Sequence, residues 1–239
     1  MKYFFILLLF IIIILLYLYY KNISLIRQIP EIIEFYNKLE KINGLGLAVP
    51  NGTINCKVLI LLNIATTEYT GNVPVYIGPS NTIFTLKIIE ESFGYNNELS
   101  NLIDNGKISI ADIIPIRLPN SNTIDDVPQN IINECVQFTG NILIPKVNPE
   151  YVIGLGASSK LLLQYMQSHS KEFVINPQRI SNTITIYKIY NIKQQSSFLF
   201  IQSFHPSIII HTCFKDIVNE LDDVFNYIRT ILDITPFLI

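Results

Sequence analysis

Residues 56–67 read CKVLILLNIATT, with Val58, Leu59, Ile60, Leu61 and Leu62 in an unbroken run closed by Asn63. The run has neither the 3.6-residue spacing of an amphipathic helix nor the alternation of a half-exposed strand, so it reads as a strand buried on both faces. Strands of that kind belong to sheets covered by helices on either side. This segment therefore sets the expected class: α/β, a three-layer fold around a central, mainly parallel sheet.

The flanking sequence supports that class. Residues 82–94 (TIFTLKIIEESFG) and 98–106 (ELSNLIDNG) have helical spacing, and 107–116 (KISIADIIPI) returns to strand character. A longer helix is expected in 125–149, a short strand in 150–156 (EYVIGLG) and a helix in 157–169 after a glycine turn. Residues 183–192 and 197–207 read as strands, and 213–233 as a closing helix. Alternation of strands with helices of this length predicts βαβ units, whose ligand crevice lies beyond the carboxyl ends of the strands. Three places follow: the loop after Leu62, the segment around Asp112, and the loop carrying His205.

Upstream, SLIRQIPEIIEFYNKLEKING (24–44) places Ile32, Phe35, Tyr36 and Leu39 at helical spacing with Pro30 in the first turn and Gly44 as a stop. It is expected to be an amphipathic linker helix over 23–46. Before it, Tyr3 to Tyr20 form an uncharged apolar block about as long as a bilayer core is thick. Together these predict a transmembrane anchor at 1–22 and a partner membrane met through residues 3–20. The lysines and arginine that follow place the α/β domain, 47–239, on the cytoplasmic side.

Composition limits the chemistry. The chain has 239 residues and a formal net charge of -2, which argues against strong sequence-independent nucleic-acid affinity, since Lys and Arg neutralising phosphates supply most of it. Any DNA partner must be held by a local patch. Cys56, Cys135 and Cys213 lack paired spacing, His169 and His211 lack partners at ligand spacing, and no metal or other cofactor is expected. GLGAS (154–158) falls short of the full dinucleotide-binding glycine spacing.

Four segments in order, VLILLNIATT, ADIIPIRLPN, INECVQFTGNILIPKVNPEYVIGLGAS and FHPS, resemble the uracil-DNA glycosylase superfamily over roughly residues 55–215. The first turn, with Asn63 at the family's catalytic position, is similar to the mismatch-specific and single-strand-selective branches. The resemblance implies a DNA glycosylase of base excision repair that hydrolyses the N-glycosidic bond of a deaminated base, uracil or hypoxanthine, flipped into a pocket. It assigns Asn63 and His205 to catalysis, and Tyr76, Asp112 and Ser207 to substrate binding. Tyr76 matches the aromatic that stacks on the base, Asp112 falls where a base-reading Asn often sits, and His205 matches the histidine that supports the leaving base. Cys135 alone, without the other cysteines found in some branches, implies no iron-sulfur cluster.

These residue types suit that chemistry. Cleavage builds positive charge on the sugar and negative charge on the departing base, and a histidine donating to a base carbonyl lowers the cost of that anion. Asn63 has no useful pKa but can orient water through its amide carbonyl. An ionised Asp112 accepts hydrogen bonds only, which changes the base it can read. Basic residues such as Lys160, Arg179 or Lys215 at the rim of one pocket formed by Asn63, Asp112 and His205, with Tyr76 on its wall, would favour that reading; scattered residues or an acidic rim would favour the next. A second reading stands beside this one: the same fold, its catalysis decayed, kept as a membrane-anchored binding or structural module.

Overall fold

A computed structural model describes residues 25–43, 46–65, 71–76, 78, 84–93, 98–117, 123–181, 184–206 and 215–234. The unbroken apolar run forms β2 (Val58–Ile64), flanked earlier by helix α1 (Pro30–Asn43) and the short strand β1 (Ala48–Val49). Then come β3 (Val73–Pro74), α2 (Phe84–Phe93), α3 (Glu98–Asp104), β4 (Ile108–Ile114) and α4 (Gln129–Phe138). A π-turn, Thr139–Leu143, joins α4 to α5 (Ile144–Val147). The chain continues through β5 (Tyr151–Leu155), α6 (Ala157–Ser168), β6 (Phe173–Arg179), β7 (Thr185–Asn191), β8 (Ser196–Ser203) and α7 (Lys215–Ile231).

The main sheet has the order β4-β2-β5-β8-β7-β6. β2 pairs in parallel with β4 and β5, and β5 with β8, whereas β7 runs antiparallel to both β8 and β6. The sheet is thus mixed. Burial on both faces explains the runs of β2 and β4: Val58, Ile60 and Leu62 pack with α2, α3 and α7, while Leu59 and Leu61 pack with α1, α4 and α6. The closing helix α7 is amphipathic, and Leu221, Val224, Phe225 and Ile228 bury its apolar stripe.

Two expectations are corrected. Among the described residues no helix is long and apolar enough to cross a membrane, so the N-terminal transmembrane helix and the membrane-anchored localisation are withdrawn. The longest helix among the described residues, α7, has 17 residues and is interrupted by acidic side chains, and a span needs about 20 largely apolar ones. The apolar block 3–20 lies outside the described residues. The segment read as an amphipathic linker helix forms α1, which packs on the domain core through Ile32, Tyr36 and Leu39, with Phe35 stacked on Phe138 at 3.7 Å between ring centroids.

The strand β6 had no clear signal, because Asn176, Pro177 and Gln178 break its alternation. Its place at the sheet edge accounts for them. Ile180 N–H donates to Ile184 O, and Ile192 N–H donates to Glu172 O, which fixes the even-numbered residues of β6 as those bonded to β7. Pro177 is odd-numbered, so the N–H it lacks would have faced outward. A proline there removes a donor from the exposed edge. Pro177→Val is therefore expected to promote self-association, lowering about tenfold the concentration at which larger species appear in light scattering. An unchanged size distribution would show that the edge is protected by something else.

Candidate active site at the strand ends

The crossover from β2 to β4 passes over the α2 and α3 face, whereas α6, which follows β5, lies on the opposite face. Adjacent strands whose connections leave toward opposite faces open a crevice at their carboxyl ends. Asn63 stands at the end of β2, Gly156 and Ser158 at the end of β5, and His205 just beyond β8.

These residues meet. Gly156 has φ 95°, and a Cβ there would lie 3.1 Å from His205 Cβ and 3.3 Å from Asn63 Cβ. Only glycine accepts both that backbone and that approach. Its N–H donates to Ser203 O at 2.9 Å, tying the β5 turn to the end of β8. Ser158, in the first turn of α6, donates its N–H to Asn63 Oδ1 at 2.8 Å, and its hydroxyl lies 2.5 Å from the same oxygen and 2.9 Å from Asn63 O.

That arrangement sets the orientation of Asn63. A backbone N–H can only donate, so Oδ1 is the atom it meets and Nδ2 occupies the other side of the amide. The water-orienting role expected for the amide carbonyl therefore competes with Ser158, and Asn63 offers its Nδ2 donor instead. His205 has its imidazole pushed down to about 4 by burial, so the ring is neutral at pH 7 and carries one N–H and one acceptor nitrogen.

Asp112 sits on β4 in register with Leu62, one position before Asn63. It is 5% exposed, and burial pushes its carboxyl up to about 7 although the Arg117 guanidinium opposes the shift. Near neutrality the group thus holds its proton much of the time. A protonated carboxyl has an O–H donor and a carbonyl acceptor, the pattern of an amide, so the Asp-for-Asn difference is smaller than an ionised side chain implies. Arg117, itself buried, donates to Gly71 O at 2.6 Å and Val73 O at 3.3 Å, fastening the loop after β2 to the end of β4.

Tyr76 is not brought to the crevice wall as an open face. It is 4% exposed in the core on the α2 side, with its hydroxyl donating to Glu90 Oε1 at 3.2 Å and its backbone held by both ends of the Asn51 amide. Ser207 and the side chain of Lys215 lie outside the described residues. Lys160 lines a groove of about 580 Å³ together with Asp125, Gln129, Ala157 and Gln164, beside Ser158. Arg179 belongs to the far β6–β7 hairpin, where its Nε donates to Ser181 O. Among the described residues no group of three or more His, Cys, Asp or Glu could hold a metal ion.

Sequence reasoning placed a glycine turn before α6 but gave neither Gly156 nor Ser158 a part in the site. Their signal was GLGAS, a glycine pair at a strand-to-helix turn, which serves here as the floor of the crevice and the anchor of Asn63 rather than as a phosphate loop. The sequence matches no family model and no curated protein.

Proposed function

We propose that the chain is a DNA glycosylase that hydrolyses the N-glycosidic bond of a deaminated base. The observation that carries this reading is the convergence of Asn63 and His205 on Gly156 at the switch point of the sheet. The C–N bond breaks with its electron pair leaving on the base, and a neutral His205 N–H stabilises the charge growing on a base carbonyl. Water adds its oxygen to the sugar carbon and gives up a proton to solvent or to the departing base. Asn63 Nδ2 positions that water without acting as a base. Asp112, protonated near neutrality, supplies a donor and an acceptor suited to a base edge. The groove lined by Lys160 gives a strand one basic contact beside the crevice.

A second reading, the fold kept as a binding module without catalysis, is favoured by one observation: Ser158 engages the carbonyl that would orient water. The test separates the two. The full chain is incubated with single- and double-stranded oligonucleotides carrying uracil or hypoxanthine, beside Asn63→Ala and His205→Ala. Base release suppressed about 10²-fold or more by each substitution is the expected result. A folded wild-type chain that releases no base from any substrate would remove the enzyme reading and leave the binding module.

A further inference from the structure

We infer that Glu220 of α7 is a positioning residue: through Ser203 it fixes where the end of β8, and with it His205, stands against Asn63. The inference rests on the reading above that these two residues act together, and adds what holds one of them in place. Ser203 is the last residue of β8. Leu199 and Ile201, the two residues before it in the row that faces α7, are apolar. The Ser203 hydroxyl donates to Glu220 Oε1 at 3.1 Å, and the Ser203 carbonyl accepts the Gly156 N–H at 2.9 Å. Ser203 thus ties the closing helix on one side and the β5 turn on the other, two residues before His205.

Packing alone does not require this contact. Leu221, Val224, Phe225 and Ile228 already seat α7 on the sheet. A carboxyl brought against the buried Ser203 hydroxyl loses hydration, and a close-packed apolar pair in the same place would stabilise the fold at least as well. What the hydrogen bond adds is direction, because it holds the strand end at one height beneath the helix. The site uses that direction. A Cβ at Gly156 would lie 3.1 Å from His205 Cβ and 3.3 Å from Asn63 Cβ, so a small shift of either strand end changes the gap between the two side chains. Asn63 is held from the opposite layer, where the Ser158 N–H of α6 meets its Oδ1 at 2.8 Å. Each side of the crevice is therefore tied by one serine to one helical layer. Asp222 and Asp223 beside Glu220 are exposed, whereas Glu220 is half-buried against the strand end.

The test uses the full chain with Glu220→Ala, Glu220→Gln, Ser203→Ala and the double alanine variant, each shown by circular dichroism to be folded. The ring resonance of His205, assigned by its loss in His205→Ala among the chain's three histidines, is followed with pH. Burial holds the wild-type imidazole down at about 4. In the alanine variants the midpoint is expected to rise toward the ordinary 6.5 as the strand end loosens and the ring gains water. Glu220→Gln keeps a carbonyl that accepts the Ser203 hydroxyl and should stay at the wild-type value. Loss of the carboxylate charge alone would move the midpoint down, so the sign separates positioning from charge. Base release should follow, with kcat lower by about 10-fold or more and KM little changed in each alanine variant, no further loss in the double variant, and recovery in Glu220→Gln. An unmoved midpoint in Glu220→Ala would overturn the inference, as would a Glu220→Gln variant impaired as much as Glu220→Ala. Where the midpoint moves as expected but the wild type releases no base, the positioning stands and the glycosylase reading falls.

Discussion

Asp112→Asn is expected to raise the unfolding free energy at pH 8 by about 4 kcal/mol and to leave it nearly unchanged below pH 4. In the folded chain the Asp112 carboxyl keeps its proton up to about 7, whereas in the unfolded chain it loses it near 4. The folded state therefore binds more protons between those values, and this group's contribution to stability falls as pH rises through that window. The amide is a neutral copy of the protonated form and removes the fall. His205 works in the opposite sense. Its folded value of about 4 lies below the ordinary 6.5, so the folded state binds fewer protons between them. Its contribution, on the order of 3 kcal/mol, grows as pH rises from 4 to 6.5 and is lost as pH falls. In the wild type the two slopes oppose each other. Denaturant titrations from pH 3.5 to 8 should show an Asp112→Asn variant whose stability relative to the wild type grows as pH rises from 4 to 8. A variant gain that is the same at every pH, or absent at pH 8, would mean that Asp112 ionises as it does in water.

The parts of this molecule that were readable from sequence are those where one physical effect dominates. Burial on both faces forces the unbroken apolar run of β2, and β4, which the sequence also read as a strand, is buried along its whole length although it carries Ser109 and Asp112. The glycine before α6 and the apolar stripe of α7 were equally plain. Edge geometry was not: β6 is polar along its outer half because little covers it, and β7, antiparallel to both β8 and β6, is the one reversed strand that makes a mainly parallel sheet mixed. At the site, Asn63 and His205 were legible because strand-end polar residues stand out against apolar runs. The burial of Tyr76, with its hydroxyl on Glu90, was not legible, because an aromatic in a loop looks the same in sequence whether its ring lies in the core or at a rim. Ser158 was invisible because a serine at a helix start ordinarily caps its own backbone, and here it turns instead to a strand 95 residues earlier in the chain.

The close approach of α6 to the sheet leads to the other large effect. Gly154→Ala is expected to cost about 3 kcal/mol or more and, on the glycosylase reading proposed above, to lower base release further than stability alone accounts for. A Cβ at Gly154 would lie 2.5 Å from Ser159 Cβ and 2.8 Å from Phe200 Cζ. Ser159 is in the first turn of α6 and Phe200 is wholly buried, so neither can swing into open space. The helix must lift from β5. Ser158 lifts with it, and Asn63 loses the contact that sets its amide. Gly156→Ala makes the complementary test, because its Cβ meets His205 and Asn63 rather than the helix and adds the strain of an alanine at φ 95°. The first variant should lower the thermal midpoint most, and the second should lower base release most relative to its loss of stability. Equal ratios of lost activity to lost stability in the two variants would mean that the turn acts only as scaffold, with the spacing of Asn63 and His205 irrelevant to turnover.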